Sequence, residues 1–211
     1  MADLFSPLIP HKQEIAPGLT LFKAWVNGAE FTQTIENILT LSPLRHMMTP
    51  MGYESKVAMT NCGPFGWTSN MQGYQYLPSD PLLGTPWPDL PELFSKLAQQ
   101  VATDVGLESF QPNACLINKY KIGVGMGKHQ DRDELDFHWP IVSVSLGLSA
   151  VFQVSGNQRN GKNINILLEN GDVLVIHGPA RQFFHGIRPI KADPVQPNLH
   201  HRYNLTFRRA Q

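Results

Sequence analysis

Residues 202–208 are Arg202-Tyr203-Asn204-Leu205-Thr206-Phe207-Arg208, and they are the best guide to the fold of this 211-residue chain. Apolar and polar side chains alternate throughout, which is the period-2 pattern of a β-strand with two unlike faces. A strand with its polar face in water is the commoner case. The alternative is that the arginines and the asparagine line the interior of a barrel, where buried arginines need anionic partners.

The pattern around this strand predicts a mainly β (α+β) fold. After Gln111 the candidate strands are 114–120, 140–148, 150–154, 163–169, 172–177 and 202–208. The pair Asn170-Gly171 predicts a hairpin turn between two of them. Before residue 111, helical spacing predicts one helix through Phe31, Ile35, Ile38 and Leu39, and another from about Pro91 to a stop at Gly106. We therefore expect a jelly roll, or double-stranded β-helix, with N-terminal helices packed outside.

Length and charge are consistent with one domain, residues 1–211, whose core is residues 111–211. The 42% hydrophobic content suffices for a sizeable core. Lys and Arg equal Asp and Glu at 17 each, but the two halves differ. Residues 1–110 carry 5 basic and 10 acidic side chains, and residues 111–211 carry 12 and 7. A polyanion would therefore meet the second half, through local contacts.

The cysteine count and the apolar patterning predict a cytoplasmic protein. Cys62 and Cys115 form no CxxC motif, so we expect reduced thiols. Residues 1–18 lack the apolar segment of a signal peptide, and no apolar run of 18 residues predicts a membrane span. A monomer with no membrane partner is expected.

The segment His129-Gln130-Asp131 is a candidate metal-binding motif. In an extended segment, residues i and i+2 point the same way, so both side chains would face one point. The motif is short and weakly specific, and a third ligand must come from elsewhere. His200 and His201 lie in a Pro-rich loop, where we expect exposure. Spacing alone leaves the choice between His177 and His185 open.

Two histidines and a carboxylate form the facial triad of non-haem Fe(II) oxygenases, although catalytic zinc uses the same ligand types. The arginine strand favours iron, because bidentate arginines suit a small dicarboxylate co-substrate. Asn118 and Tyr120 share one face of the strand 114–120 and can add donors to such a site. Ordinary strand hydrogen bonding is the alternative for this pair.

Together these residues resemble the AlkB family of Fe(II)/2-oxoglutarate-dependent nucleic-acid dealkylases, over nearly the whole length. The motifs that carry the resemblance are Asn118-x-Tyr120-x-x-Gly123-x5-His129-x-Asp131, Ile141-Val-Ser-Val-Ser-Leu-Gly147, His185, and Arg202-x-Asn204-x-Thr206-x-Arg208. The run Val57–Gly63, with Gly66-Trp67-Thr68 and Gly73-Tyr74 after it, resembles the family's nucleotide-recognition lid, which we assign to residues 44–78.

The resemblance implies the cofactors and the reaction. It makes His185 the third ligand of Fe(II). It gives the distal carboxylate of 2-oxoglutarate to Arg202, Asn204 and Tyr120, and the metal-proximal end to Arg208 and Asn118. With O2 as oxidant, the implied activity is oxidative demethylation of 1-methyladenine and 3-methylcytosine, a direct-reversal DNA repair that releases formaldehyde, succinate and CO2.

The resemblance also implies how a base is bound. Trp67 would stack on a flipped base opposite His129, Tyr74 would touch the backbone, and Asp133 would accept from an exocyclic amine and favour a cationic base. Core packing is the alternative for the two aromatic residues, and a solvated acidic loop is the alternative for Asp133, Glu134 and Asp136. Phosphate contacts are expected from Lys128, Arg132 and Arg159, and pocket walls from Thr49, Tyr53, Met59, Tyr76, Leu116 and Ser143.

Single-stranded DNA is the expected partner, with duplex DNA and RNA as further candidates, because a base within a duplex is out of reach unless it is flipped. Two other functions compete with this one. The first is a 2-oxoglutarate oxygenase that acts on a substrate other than nucleic acid. The second is a non-catalytic nucleic-acid binder or structural metal protein on the same fold.

Overall fold

The structure, a computed structural model, describes residues 11–211. The prediction that residues 1–18 contain no signal peptide therefore falls mostly outside the described residues. The strands are β1 (Lys12–Ala16), β2 (Leu19–Phe22), β3 (Arg45–Met48), β4 (Glu54–Cys62), β5 (Gly66–Asn70), β6 (Gly73–Leu77), β7 (Ala114–Lys121), β8 (Met126–His129), β9 (Ile141–Gly147), β10 (Ala150–Val154), β11 (Ile164–Leu168), β12 (Val173–Ile176), β13 (His185–Ile187) and β14 (His201–Arg208). The helices are α1 (Gly28–Leu41) and α2 (Glu92–Thr103), and a short 3-10 helix spans Gly178–Gln182.

Two antiparallel sheets form a jelly-roll-like sandwich. The large sheet has the strand order β1-β2-β12-β9-β14-β7-β4-β3, and the small sheet has the order β11-β10-β13-β8. A third element, the ribbon β5–β6, pairs only with itself within the described chain. Because β14 lies between β9 and β7, the strand predicted from residues 202–208 is central to the large sheet.

Both predicted helices are present and cover the outer face of the large sheet. Asn27 begins α1 by accepting a hydrogen bond from the Ala29 backbone N–H, at 3.1 Å. Phe31 of α1 stacks on Phe94 of α2, with ring centroids 5.1 Å apart. Phe94 in turn packs edge-on against Phe207 of β14. The apolar face of β14 therefore packs against the helices and forms one side of the main hydrophobic core.

The opposite face of β14 points between the two sheets. Apolar residues close one end of this space, where Leu174 and Ile176 of β12 pack with Phe152 and Ile166 of the small sheet. The polar residues Arg202, Asn204, Thr206 and Arg208 line an open cavity beside this cluster, and Phe152 and Ile176 border it as well. The interior-lining alternative for β14 is thus confirmed, and the solvent-facing one is wrong.

The hairpin predicted at Asn170-Gly171 is wrong. The turn exists, and Gly171 has a φ of +88°, but the strands on either side belong to different sheets: β11 pairs with β10, and β12 pairs with β9 and β2. The backbone of Gly171 is used by other elements, since it donates to Ser145 O and accepts from the Trp25 N–H. Side chains cannot fit here, because a Cβ would lie 2.7 Å from Val26 O. The turn therefore passes the chain from one sheet to the other.

No helix within residues 11–211 is long and apolar enough to cross a membrane. Cys62 and Cys115 are both free and buried. They lie directly opposite each other on β4 and β7.

Candidate active site

Strand pairing brings the three candidate metal ligands together. His129 ends β8 and lies directly opposite His185 on β13, so that their ring centroids are 4.6 Å apart. Asp131 follows two residues after His129. Its Oδ1 lies 3.6 Å from His129 Nε2, and its Oδ2 lies 3.6 Å from His185 Nε2. Ligand atoms of the three residues all lie within 4.8 Å of one another, and His177 is not in this group.

Backbone carbonyls orient both histidine rings. Nδ1 of His129 donates to Gly127 O and Nδ1 of His185 donates to Phe183 O, each at 2.9 Å. A proton on Nδ1 leaves the lone pair on Nε2, which is the atom that faces the carboxylate. Fixing the tautomer through the distal nitrogen is how metal-binding histidines are prepared.

The protonation states also suit a cation. Burial lowers the pKa of His129, against the opposing charge of Asp131, so its ring stays neutral. Burial would raise the pKa of Asp131, but the charge of Arg208 and the contacts with His185 and His129 hold it well below its usual range. A neutral imidazole and an ionised carboxylate are the metal-binding forms.

Arg202 is a buried cation that lacks an anionic partner among the described residues. It is 1% exposed, and its Nη2 donates to Ser145 Oγ at 3.0 Å. Its Nε and Nη1 have no hydrogen-bond partner in the described chain, and burial lowers its pKa to about 10. Such a group needs a carboxylate or phosphate, and two free N–H donors can bind one in a bidentate fashion.

The strands beside β14 bring further polar groups to Arg202. Tyr120 lies directly opposite Arg202 on β7, and Asn118 lies directly opposite Asn204. Burial raises the pKa of Tyr120 to about 12, so its phenol is a donor. Asn118 Oδ1 has no partner among the described residues. Asn204 Nδ2 already donates to Ser143 Oγ and Val144 O, so its amide is fixed in place.

Arg208, by contrast, has anionic partners within the chain. Its Nη2 donates to Asp131 Oδ2 at 3.0 Å, and its Nε lies 3.4 Å from Glu134 Oε1. These carboxylates hold the pKa of Arg208 well above its usual value, against the opposing effect of burial. Both predicted arginines thus reach the cavity, and only Arg208 contacts a candidate metal ligand.

The ribbon β5–β6 supplies the aromatic wall of the cavity. Trp67 stacks on Tyr74 with centroids 5.4 Å apart and planes 19° apart. The indole Nε1 of Trp67 donates to Asp133 Oδ2 at 2.7 Å. Tyr74 is 52% exposed. Both rings line the cavity. The core-packing alternative is wrong for Tyr74, whereas Trp67 also packs against the buried cluster that contains Met59 and Leu116.

One cavity of about 520 Å³ contains most of the predicted site residues. Its walls include Thr49, Met59, Leu116, Ser143, Lys128 and Arg159, together with the metal, arginine and aromatic groups described above. Tyr53, Tyr76 and Arg132 were predicted as pocket or phosphate residues and do not line it. Lys128 Nζ donates to Arg159 O at 2.9 Å, which connects β8 to the loop between β10 and β11 at the rim of the cavity.

Glu134 and Arg181 were not recognised from the sequence as part of the site. The solvated-loop alternative is wrong for Glu134, which is 5% exposed and pairs with Arg181 at 2.7 Å. Asp133 and Asp136 of the same acidic run are exposed. No local pattern distinguishes the buried acid, because its partner lies 47 residues away.

Comparisons with known proteins agree with this geometry. The family model described as "2OG-Fe(II) oxygenase superfamily" matches residues 18–208. The chain is 48% identical over its full length to the alpha-ketoglutarate-dependent dioxygenase AlkB of Escherichia coli (strain K12), and covers 98% of that protein. It is 33% identical to human nucleic acid dioxygenase ALKBH1 over 105 residues, which are 50% of this chain and 27% of the human one. The solved structure of OsALKBH1 superposes with a TM-score of 0.79 at 28% identity, and the match covers 94% of this chain and 99% of the other.

Proposed function

This chain belongs to the 2OG-Fe(II) oxygenase superfamily and is an AlkB-type, 2-oxoglutarate-dependent dioxygenase, and on that premise we propose that it repairs alkylated DNA by oxidative demethylation. The substrate class that we favour is single-stranded DNA carrying 1-methyladenine or 3-methylcytosine. Duplex DNA and RNA are further substrates to test.

The observation that carries the proposal is that one cavity holds three different kinds of group. The His129–Asp131–His185 cluster suits a metal ion, the unpaired Arg202 suits a carboxylate, and the Trp67–Tyr74 wall suits a nucleobase. A small-molecule oxygenase has no need of an aromatic ribbon at its mouth. A non-catalytic binder has no need of a buried, unpaired arginine beside a metal cluster.

The residues fit Fe(II) and 2-oxoglutarate. Bound Fe(II) couples the oxidative decarboxylation of 2-oxoglutarate by O2, to succinate and CO2, to hydroxylation of the substrate methyl group. His129, Asp131 and His185 would hold the metal. Arg202, with the Tyr120 phenol and Asn204 beside it, would bind the distal carboxylate of 2-oxoglutarate.

Asn118 and Arg208 would serve the metal-proximal end of the co-substrate. Arg208 is already bound to Asp131, and its first task is to hold that carboxylate in one orientation. The co-substrate would then lie along the polar face of β14, in the cavity that Arg202, Arg208 and the three metal ligands line together.

Base recognition would use the wall opposite the arginine strand. A base outside a duplex can stack on Trp67, a contact that contributes about 1–3 kcal/mol. Asp133 Oδ2 is taken by the indole, which leaves Oδ1 for an exocyclic amine. The methylated bases are cationic, so a nearby carboxylate favours them over their neutral counterparts. Tyr74, exposed beside Trp67, and Arg159 on the rim would contact the sugar-phosphate backbone.

We assign residues 44–78 to the nucleotide-recognition lid and residues 111–211 to the catalytic core of a single domain. Within the lid, β3 and β4 extend the large sheet. The ribbon β5–β6 is the part of the lid whose strands do not pair with that sheet. We further propose a cytoplasmic monomer, in keeping with two free thiols. Size-exclusion chromatography with light scattering tests the oligomeric state.

The test is incubation of the protein with Fe(II), ascorbate, 2-oxoglutarate and a single-stranded oligonucleotide containing 1-methyladenine. We expect loss of the methyl group, with succinate and formaldehyde formed in equal amounts. The same oligonucleotide without the methyl group is the control. Succinate without demethylation would instead support an oxygenase with another substrate, and no turnover with metal bound would support a binding protein.

A further inference from the structure

The ribbon β5–β6 is fastened to the loop that carries a metal ligand. Trp67 and Tyr76 are directly opposite each other on the two strands of the ribbon. Trp67 Nε1 donates to Asp133 Oδ2 at 2.7 Å, and Tyr76 Oη donates to Glu134 Oε1 at 2.6 Å. Two cross-strand partners therefore hold two consecutive carboxylates, just after Asp131.

Glu134 is the buried half of this connection. Its side chain is 2% exposed, as is that of Arg181, and the two are 2.7 Å apart. Glu134 Oε1 accepts the hydrogen bond from the Tyr76 hydroxyl and lies 3.4 Å from Arg208 Nε. Burial raises the pKa of Tyr76, and the Glu134 charge adds to the rise against the opposing charge of Arg208, so the phenol stays a donor.

The same two arginines contact Asp131. Arg181 Nη1 donates to the Asp131 backbone carbonyl, and Arg208 Nη2 donates to the Asp131 side chain, both at 3.0 Å. Arg208 Nη1 also reaches Tyr76 Oη at 3.2 Å. Tyr76, Glu134, Arg181 and Arg208, which we call the Glu134 cluster, thus join the ribbon to both the backbone and the side chain of Asp131.

The balance of charge in this cluster determines how strongly Arg208 attracts Asp131. Arg181 and Arg208 are buried cations, and Glu134 and Asp131 are their anionic partners. If Glu134 lost its charge, Asp131 would be the remaining carboxylate in contact with Arg208. Because electrostatic attraction is strong at a buried site, the guanidinium would then compete more effectively with a metal ion for that carboxylate.

We propose that Glu134 is a positioning residue that shares Arg208 with Asp131 and, through Tyr76, links closure of the ribbon β5–β6 to metal binding. The coupling is reciprocal, as binding linkage requires: a metal ion at Asp131 tightens the ribbon, and a ribbon fastened through Tyr76 strengthens metal binding. The proposal rests on the metal site of the proposed function, and it assigns to Glu134 and Tyr76 no contact with a base.

The test uses Mn²⁺ as the probe on the full chain, without DNA or 2-oxoglutarate. Tyr76→Phe removes one hydroxyl and should weaken Mn²⁺ binding about fivefold or more. Glu134→Gln should weaken it about 10- to 100-fold, as loss of a residue that orients a ligand commonly does. Tyr203→Phe is the matched control, because it also removes a Tyr–Glu hydrogen bond, to Glu36, on the opposite face of β14. Its Mn²⁺ affinity should be unchanged.

A second measurement separates coupling from simple misfolding. Hydrogen exchange of residues 66–77 should slow when Mn²⁺ binds to the wild-type chain and to Tyr203→Phe, and this effect should be lost in Tyr76→Phe. The double variant should bind Mn²⁺ no more weakly than Glu134→Gln alone, since both changes break one connection. Unchanged Mn²⁺ affinity or unchanged metal-dependent protection in Tyr76→Phe would overturn the proposal, even in a protein that demethylates DNA. A wild-type chain that bound no Mn²⁺ would overturn the metal site itself.

Discussion

Arg208 donates from Nη2 to Asp131 Oδ2 over 3.0 Å, so one oxygen of this carboxylate is held by the protein. The other oxygen, Oδ1, lies 3.6 Å from His129 Nε2 and is the freer of the two. The geometry fixes the plane of the carboxylate before any cation arrives. The side chains that would bind a metal ion are therefore already oriented, and binding would require little further ordering of them.

We expect Asp131→Ala to abolish demethylation by removing the charged ligand from the metal site. The fold should survive, because Arg208 keeps Glu134 as an anionic neighbour. Iron content after reconstitution and succinate release are the two measurements. Asp89→Ala, at an exposed loop position, is the control. Wild-type iron content in Asp131→Ala would remove this residue from the ligand set.

Arg202→Met should separate co-substrate binding from stability. Loss of one partner of a buried charge pair weakens binding by about 2–5 kcal/mol, so 2-oxoglutarate affinity should fall about 30-fold or more. The free energy of unfolding without ligands should stay the same or rise, because the change removes a buried cation that has no anionic partner among residues 11–211. Calorimetric titration and urea unfolding measure the two quantities.

Arg188→Met is the matched control for Arg202→Met, since Arg188 is exposed and does not line the cavity, and its guanidinium bonds, among the described residues, only to the side chains of Asn165 and Gln153 on the small sheet. Neither its 2-oxoglutarate affinity nor its stability should change. Equal affinities in all three proteins would remove Arg202 from the co-substrate site. A marked loss of stability in Arg202→Met would show that the arginine is stabilised within the fold by more than its hydrogen bond to Ser145.

Trp67 should contribute to nucleic-acid binding in two separable ways. Trp67→Ala removes the stacking surface and should weaken oligonucleotide binding by about 1–3 kcal/mol, with Mn²⁺ binding retained. Trp67→Phe keeps a smaller aromatic ring for stacking and loses the N–H that holds Asp133. We therefore expect Trp67→Phe to bind better than Trp67→Ala and to discriminate less between methylated and unmethylated bases. Fluorescence anisotropy with both oligonucleotides measures this, and wild-type affinity in Trp67→Ala would refute the stacking role.

Strand β14 shows what sequence alone can predict. Its alternation is a local property, so the division between Tyr203, Leu205 and Phe207 on one face and the arginines on the other follows from the period of a strand. The environment of each face is a property of the whole fold. Two arginines on one side favour an interior location, and the packing of α1 and α2 on the apolar side confirms it.

Two other segments show that local patterns do not predict strand pairing or burial. Asn170-Gly171 has the chemistry of a turn and makes one, but the pairing of its neighbours is decided by β9, β10 and β2, which no dipeptide encodes. Similarly, Glu134 and Asp133 are adjacent acids with opposite exposure. Their difference is caused by Arg181 and Tyr76, which come from distant parts of the chain.

A last prediction concerns stability away from the site. Asp80 is 1% exposed, pairs with Arg45 of β3, and accepts from the Leu82 backbone N–H at 2.9 Å. Burial would raise the pKa of Asp80, but Arg45 and the backbone donors outweigh it, so the pKa is lowered. Asp80→Asn should therefore reduce the free energy of unfolding at pH 7 by about 1.5–3 kcal/mol, the range for hydrogen bonds to charged groups.

The pH dependence follows from the direction of this shift. Because the folded pKa of Asp80 lies below its unfolded value of about 3.9, its contribution is present above that value and is lost as the pH falls through the folded pKa. The stability difference between wild type and Asp80→Asn should thus be constant from pH 7 to about 5 and shrink below about 4. Urea unfolding across this range checks it, with Asp89→Asn as the exposed control. A difference that grew on acidification would mean that Asp80 is stabilised as the neutral acid, which its pairing with Arg45 opposes.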